Sequence, residues 1–286
     1  MTASDTSNTP DRDPAGETGG TGSAGGSDRA GRRTARGDDR RDRLAAYHRK
    51  RDFGRTAEPR GGRAPAGGGP AYVVQIHDAT RTHFDFRLEV DGVLKSWAVP
   101  KGPSTDPRDK RLAVPTEDHP MEYRDFEGVI EAGEYGGGTV IVWDAGGYRN
   151  ASTDRSGREI PFAEALARGH ASFRLVGGKL RGRWSLTRFR KGEPGTEDES
   201  GHARGEAWLL VRSAEEGPRG GGRAAARRSR ARRPPAPGQT PAQPGGADPR
   251  SRGRGTPDPH LARSTRTGRT LAQVAEAGGP TWHSDR

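Results

Sequence analysis

Cysteine is absent from the 286 residues of this chain. That excludes disulfide staples, thiolate metal sites and a cysteine nucleophile, and leaves His and carboxylates as the donors for any bound metal. Apolar residues are also scarce. At 29% hydrophobic and 6% aromatic, the composition is too lean for a packed core along the whole length, and 44 Gly with 22 Pro point to long unstructured segments. No run approaches the roughly 20 apolar residues that cross a bilayer, and the first residues lack the apolar stretch of a secretory signal. A soluble cytoplasmic protein with no membrane partner is expected.

Positive charge is plentiful but unevenly placed. The formal net charge is +11, yet residues 71–213 hold 21 Lys or Arg against 22 Asp or Glu. The excess lies in the flanks, 14 against 10 over residues 1–70 and 14 against 6 over residues 214–286. A near-neutral centre with basic arms fits a domain delivered to a polyanion, since unstructured arginine runs attract phosphate backbones without reading sequence; anionic membrane surfaces would attract them too. Residues 1–40 read as a disordered arm, 41–70 as a short helix and extended arm, and 71–213 as the folded domain. Residues 214–286 read as a disordered basic tail, in which Arg219 to Pro235 holds seven arginines.

From Tyr72 the pattern becomes short β segments, at 72–77, 83–90, 93–99, 111–116, 139–144, 171–177, 180–189 and 206–212. Eight strands with few helices predict a mainly β fold, a small barrel or sandwich. Asp91-Gly92 is the favoured two-residue hairpin turn, which sets Arg87 opposite Ser96 and Asp85 opposite Ala98, with a hollow beside these small partners. On the other face Phe86 is expected to meet Trp97 as an aromatic pair. Gly177-Gly178 predicts a similar turn, and Pro161 to Arg168, stopped by Gly169, a helix.

Gln75 to Glu89 packs two histidines, two aspartates and two arginines into one β-type stretch. Alternation turns Phe84, Phe86 and Leu88 one way and His83, Asp85 and Arg87 the other, the polar three about 7 Å apart. An imidazole, a carboxylate and a guanidinium in a row suit a metal and a phosphate. His77, His83 and His119 each have a carboxylate adjacent or two residues away, and spacing leaves two readings open: a manganese, iron or zinc site, or buried structural histidines. The other five histidines are ordinary by position. His83-x-Asp85 with a later His119 also has the form of the non-haem iron oxygenase triad, although the cations Arg87, Lys101 and Arg111 favour a phosphate over a keto acid. The run Gly133 to Gly138 is not a phosphate loop. No Gly-Lys-Ser/Thr follows it, and the next residues read as a strand, so it is a turn or bulge.

In order along the chain, Gln75 to Glu89, Asp91 to Ser104, Arg111 to Val114, Glu117 to Pro120, Tyr123, Phe126 to Ile130 and Gly133 to Gly136 together resemble the 3'-phosphoesterase domain of bacterial DNA ligase D. The resemblance covers roughly residues 47–212. It implies a compact eight-stranded β-barrel that removes 3'-phosphates and 3'-terminal ribonucleosides from DNA ends in non-homologous end joining, with manganese as the favoured metal. It further implies His77, Asp85 and His119 as metal ligands, with His83 and Arg87 contacting phosphate or acting in catalysis. Lys101, Arg111 and Tyr123 match further active-site positions, and Gln75 and Glu117 supporting ones. Arg51, Asp52 and Glu58 match an N-terminal arm acting mainly in ribonucleoside removal. The chain shows no nucleotidyltransferase lysine motif, so a stand-alone, monomeric, nucleoid-associated end processor is expected, working with a DNA ligase and an end-binding protein. The non-enzymatic rival is a DNA-end-binding adaptor that keeps the barrel and has lost catalysis.

Overall fold

The computed structural model describes residues 43–62, 69–214 and 255–278. Nine antiparallel strands form one sheet: β1 (Ala71–Asp78), β2 (Thr82–Val90), β3 (Val93–Val99), β4 (Arg111–His119), β5 (Gly128–Ile130), β6 (Gly138–Asn150), β7 (His170–Gly177), β8 (Arg181–Arg190) and β9 (Ala207–Arg212). Eight of them close a ring, β1-β2-β3-β4-β9-β8-β7-β6 and back to β1, while the short β5 adds to β6. Pairing of β6 with β1 makes a barrel rather than a sandwich. Closure depends on the length of β6, which pairs with β1 from Thr139 to Gly147 and with β7 from Gly146 to Asn150. At that branch Gly146 lies so close to β7 that an added Cβ would fall 2.3 Å from the Val176 carbonyl oxygen.

Alternation sorts the side chains into two apolar layers. Tyr72, Val74 and Ile76 of β1 and Phe84, Phe86 and Leu88 of β2 point into the barrel with Phe173, Trp184 and Leu186, and an eight-stranded barrel is just wide enough for such side chains to fill. The second layer lies on the outer wall. There Val73, Leu94, Val140 and Val142 are covered by Tyr47 of α1 (Ala45–Arg49) and by Met121, Tyr123 and Phe126 in and after a 3-10 helix (Met121–Asp125). Burying each large apolar side chain contributes about 1.5–3 kcal/mol relative to exposure, so this covering is stably held, and it roofs the polar face of β1 and β2.

The hairpin register is the expected one, Arg87 opposite Ser96 and Asp85 opposite Ala98, and Asp91 (φ 51°) and Gly92 (φ 82°) have the positive φ of the predicted turn. The Phe86–Trp97 ring pair does not form. Although in register, Phe86 turns to Tyr72 and Phe173, and Trp97 to Trp208, because the closed barrel offers each ring partners from other strands. The second turn shifts along the chain: Gly177 N–H donates to the Leu180 carbonyl at 3.1 Å, which puts Gly178 and Lys179 at the tip. The predicted internal helix is α2 (Phe162–Ala167).

Residues 1–40 and the arginine run Arg219 to Pro235 lie outside the described residues. Residues 255–278, expected within an unstructured tail, instead pack on the barrel. Their helix α3 (Leu271–Ala277) opens with a capping box between Thr270 and Gln273, and Ala262, Leu271 and Val274 join the interior cluster. Thr265 N–H donates to the Val142 carbonyl at 2.8 Å and the Thr267 hydroxyl to Glu127. Among the described residues no helix is long and apolar enough to cross a membrane. Leu271→Ala should therefore lower the unfolding free energy by about 2–5 kcal/mol, read from the urea midpoint; an unchanged midpoint would show that this segment is no part of the core.

Candidate active site

The β1–β2 register fixes the site. Gln75 stands opposite Asp85 and His77 opposite His83, so all four share the outer wall with Arg87. One donor atom from each of His77, His83 and Asp85 lies within 4.8 Å of the others, with His77 Nδ1 3.8 Å from Asp85 Oδ2 and His83 Nε2 3.6 Å from Asp85 Oδ1. Each ring is oriented by a backbone acceptor. His77 Nε2–H donates to the Gly136 carbonyl at 2.8 Å and His83 Nδ1–H to the Arg81 carbonyl at 2.9 Å. A carbonyl only accepts, so in the neutral form of each ring the facing nitrogen carries the lone pair, the arrangement that holds histidines as metal ligands. The run Gly133 to Gly138, expected as a turn or bulge, is the turn into β6 and supplies the first of these carbonyls.

Arg87, 3% exposed, ties this group to the rest of the wall. Its Nη2 donates to Asp85 Oδ2, its Nε to Gln75 Oε1 and its Nη1 to Ser96 Oγ, each at 2.9 Å. Gln75 in turn donates to the carbonyls of Tyr123 and Phe126, and the Tyr123 ring lies 4.8 Å from the guanidinium. The hollow expected beside Ser96 is occupied by Arg87. Burial pushes the Asp85 carboxyl up, but Arg87 and the two histidines hold it far below the usual carboxylate range. Burial lowers His77; it works against protonation of His83 as well, but there the Asp85 charge wins and raises it.

His119 belongs to a second group. Its Nδ1–H donates to the Glu117 carbonyl at 2.8 Å, and its Nε2 faces Arg51 Nη2 at 3.4 Å. Burial and the nearby Arg87 charge put it well below the ordinary imidazole range, so it is neutral and its remaining lone pair faces a guanidinium. Of the expected trio, His77 and Asp85 lie together with His83 in the group that could hold a metal ion, whereas His119 stands apart from it with Arg51 beside its Nε2. Arg51 also bonds Glu58 at 2.9 Å and Glu117 at 3.1 Å, and stacks 3.8 Å over Tyr47. Tyr123 packs against His119 at 4.7 Å between centroids.

Other expected residues sit apart. Asp52 is exposed and serves a local turn, accepting from Gly54 N–H at 2.9 Å. Lys101 is exposed in the turn after β3. Arg111 is engaged by Asp109 at 2.9 Å and by Thr256 of the C-terminal segment at 3.4 Å, and the Thr256 hydroxyl also reaches the Pro103 carbonyl. Lys50 was not singled out in the sequence. It donates to Glu117 Oε2, to the Tyr135 hydroxyl and to Ser200 Oγ, and its place directly before Arg51 was the available signal.

Burial alone would raise the Glu117 carboxyl, but the Arg51 and Lys50 charges beside it bring it from 4.5 down to about 2. A depressed carboxylate stabilises the fold above its ordinary pKa and loses that contribution as pH falls toward the folded value, here between about 4.5 and 2, up to about 3 kcal/mol in all. Glu117→Gln should be less stable than wild type at pH 5, and urea unfolding should show that gap narrowing by roughly 2 kcal/mol at pH 3. A gap independent of pH would disprove the coupling.

Comparison with known proteins bears on the same residues. The family model described as DNA Ligase D 3'-phosphoesterase domain matches residues 75–188. The multifunctional non-homologous end joining protein LigD of Pseudomonas aeruginosa is 56% identical over 147 residues, covering 51% of this chain and 16% of that protein. The LigD proteins of Mycobacterium tuberculosis and Mycolicibacterium smegmatis are 46% and 42% identical, again over 51% of this chain and over 18% and 19% of theirs. The chain thus matches less than a fifth of the length of these relatives. Over residues 75–188 it is thus similar to the DNA ligase D 3'-phosphoesterase domain family.

Proposed function

We propose that this domain hydrolyses phosphate esters at DNA 3' ends, removing 3'-phosphates and 3'-terminal ribonucleosides during non-homologous end joining, with manganese as its metal. The observation that carries the reading is the meeting, inside the family-matched segment, of two imidazole nitrogens and a pinned carboxylate beside a buried guanidinium. His77 Nδ1, His83 Nε2 and an Asp85 oxygen hold the cation, which when bound supplies Lewis-acid polarisation of a phosphoryl oxygen.

The remaining residues bind and orient. Arg87 keeps two N–H groups beyond its three bonds, and Arg111 Nε is buried with no partner among the described residues; phosphoryl oxygens satisfy both. Lys101 adds positive charge at the rim. In this reading His83 holds the cation, in place of the phosphate contact or catalytic role that the resemblance implied for it. His119, held neutral, fixes Arg51 through Nε2, while Glu58 and Glu117 hold Arg51 and Lys50, and Tyr123 covers Arg87 against water. Residues 71–213 form the catalytic domain and residues 41–70 its arm, with the basic flanks, a DNA ligase and an end-binding protein bringing it to its ends.

The test is a duplex with a 3'-phosphate or a single 3'-ribonucleotide, with and without manganese. Manganese-dependent release of phosphate or nucleoside is expected; duplex binding without release under any divalent cation would make the protein an adaptor. His77, His83 and Asp85 also match the donor set of non-haem iron oxygenases, and iron-dependent turnover of 2-oxoglutarate in place of ester hydrolysis would reverse the assignment. His77→Ala and His83→Ala should abolish both turnover and manganese binding, whereas His119→Ala should lose turnover while an electron paramagnetic resonance titration still shows manganese bound. Loss of manganese in His119→Ala with retention in His83→Ala would restore the original trio.

A further inference from the structure

On the far side of the barrel three arginines stand in one row across adjacent strands, Arg149 of β6 opposite Arg174 of β7 and Arg174 opposite Arg183 of β8. Their chain neighbours Tyr148, Phe173 and Trp184 fill the interior, so alternation turns all three outward, and Arg181 follows two residues before Arg183 on the same face. All four are exposed. Their in-register and diagonal neighbours on this face are Gly147, Ser172, Val176 and Ser185, none of them acidic. Elsewhere on the domain Arg51, Arg87, Arg108, Arg111, Arg158 and Arg168 each pair with a carboxylate.

Like charges directly opposite one another in a sheet are destabilising, and strands about 4.8 Å apart crowd these side chains. The row therefore works against the fold unless an external anion neutralises it. A row of guanidiniums, each able to fork two phosphoryl oxygens, matches a polyanion of closely spaced phosphates, and duplex DNA carries one charge per ~1.7 Å of axis. Val176 is the one apolar side chain among the row's neighbours, too little to anchor this face in lipid. The row is also separate from the active site. Gly147 pairs with Ala71 at the start of β1, whereas His77 lies six residues further along that strand, about 20 Å away.

We propose that this β6–β7–β8 face is a second, sequence-independent docking surface for the backbone of duplex DNA. The proposal rests on the reading of the domain as a DNA-end hydrolase only for its choice of polyanion. The test is the triple variant Arg149→Gln, Arg174→Gln, Arg183→Gln of the full chain, compared with wild type by fluorescence anisotropy on a blunt duplex lacking a 3'-phosphate, over a range of salt. The variant should bind several-fold more weakly at low salt, and the slope of log affinity against log salt should fall by about 3. Manganese-dependent hydrolysis of a mononucleoside 3'-phosphate, too small to reach this face, should be unchanged, and the melting temperature unchanged or raised as the repulsion is relieved. Unchanged duplex affinity and salt slope would overturn the proposal, as would loss of binding to phosphatidylserine vesicles with duplex binding intact. Wild-type turnover separates the two readings: no hydrolysis of the mononucleoside 3'-phosphate would defeat the hydrolase reading, while the difference in duplex affinity and salt slope between wild type and the triple variant alone decides on the row.

Discussion

The buried ion pair between Arg87 and Asp85 is the interaction on which the site depends. Two residues apart on one face of β2, they meet at 2.9 Å with both side chains nearly solvent-free. Removing one partner of such a pair leaves an uncompensated charge, at a typical cost of about 3–5 kcal/mol. The pair survives burial because every nitrogen of the guanidinium has a neutral or anionic acceptor, Gln75 and Ser96 as well as Asp85. Asp85 is thereby held as a carboxylate in one orientation, and its other oxygen is left toward His83. The carboxylate of the group that could hold a cation is thus set in place by the hydrogen bonding of a neighbouring arginine.

That burial exists only because the barrel wall is covered. Outer faces of barrels are usually wet, but here Tyr47, Met121 and Phe126 close over β1, β3 and β6. The covering segment also brings polar groups of its own. Arg51 and Lys50 reach β4 through Glu117, and Ser200, from the loop before β9, completes the second carboxylate oxygen. The same dry layer that lowers His119 and raises Tyr123 therefore makes Glu117 a strong acceptor, and the arm and the barrel stabilise one another through charge as well as packing.

Much of this was legible in the sequence. The Asp91-Gly92 turn and the alternation of β2 fix the β2–β3 register residue by residue, and with it the neighbourhood of Asp85, Arg87 and Ser96. The separate surroundings of His77, His83 and His119 were not legible, because they are set by the Gly136 and Arg81 carbonyls and by a guanidinium 68 residues from His119. The ring partners of Phe86 and Trp97 were hidden for a related reason, since barrel closure supplies neighbours that a hairpin alone does not. The C-terminal helix was within reach: Thr270 and Gln273 spell a capping box, and Leu271 and Val274 share one helical face. Averaging composition over a long basic tail concealed eight ordinary residues.

The glycine run between β5 and β6 shows why backbone polarity matters more than composition. A phosphate loop offers N–H groups to an anion, whereas here the strand that follows turns the Gly136 carbonyl toward His77. An acceptor in that position fixes an imidazole tautomer and so favours a cation. Under the proposed function anion recognition falls to side chains instead, first to Arg87 beside Asp85. Two imidazoles and a carboxylate alone are equally suited to iron and oxygen chemistry. The buried Arg87 guanidinium beside them is what favours the proposed phosphoryl substrate over a keto acid.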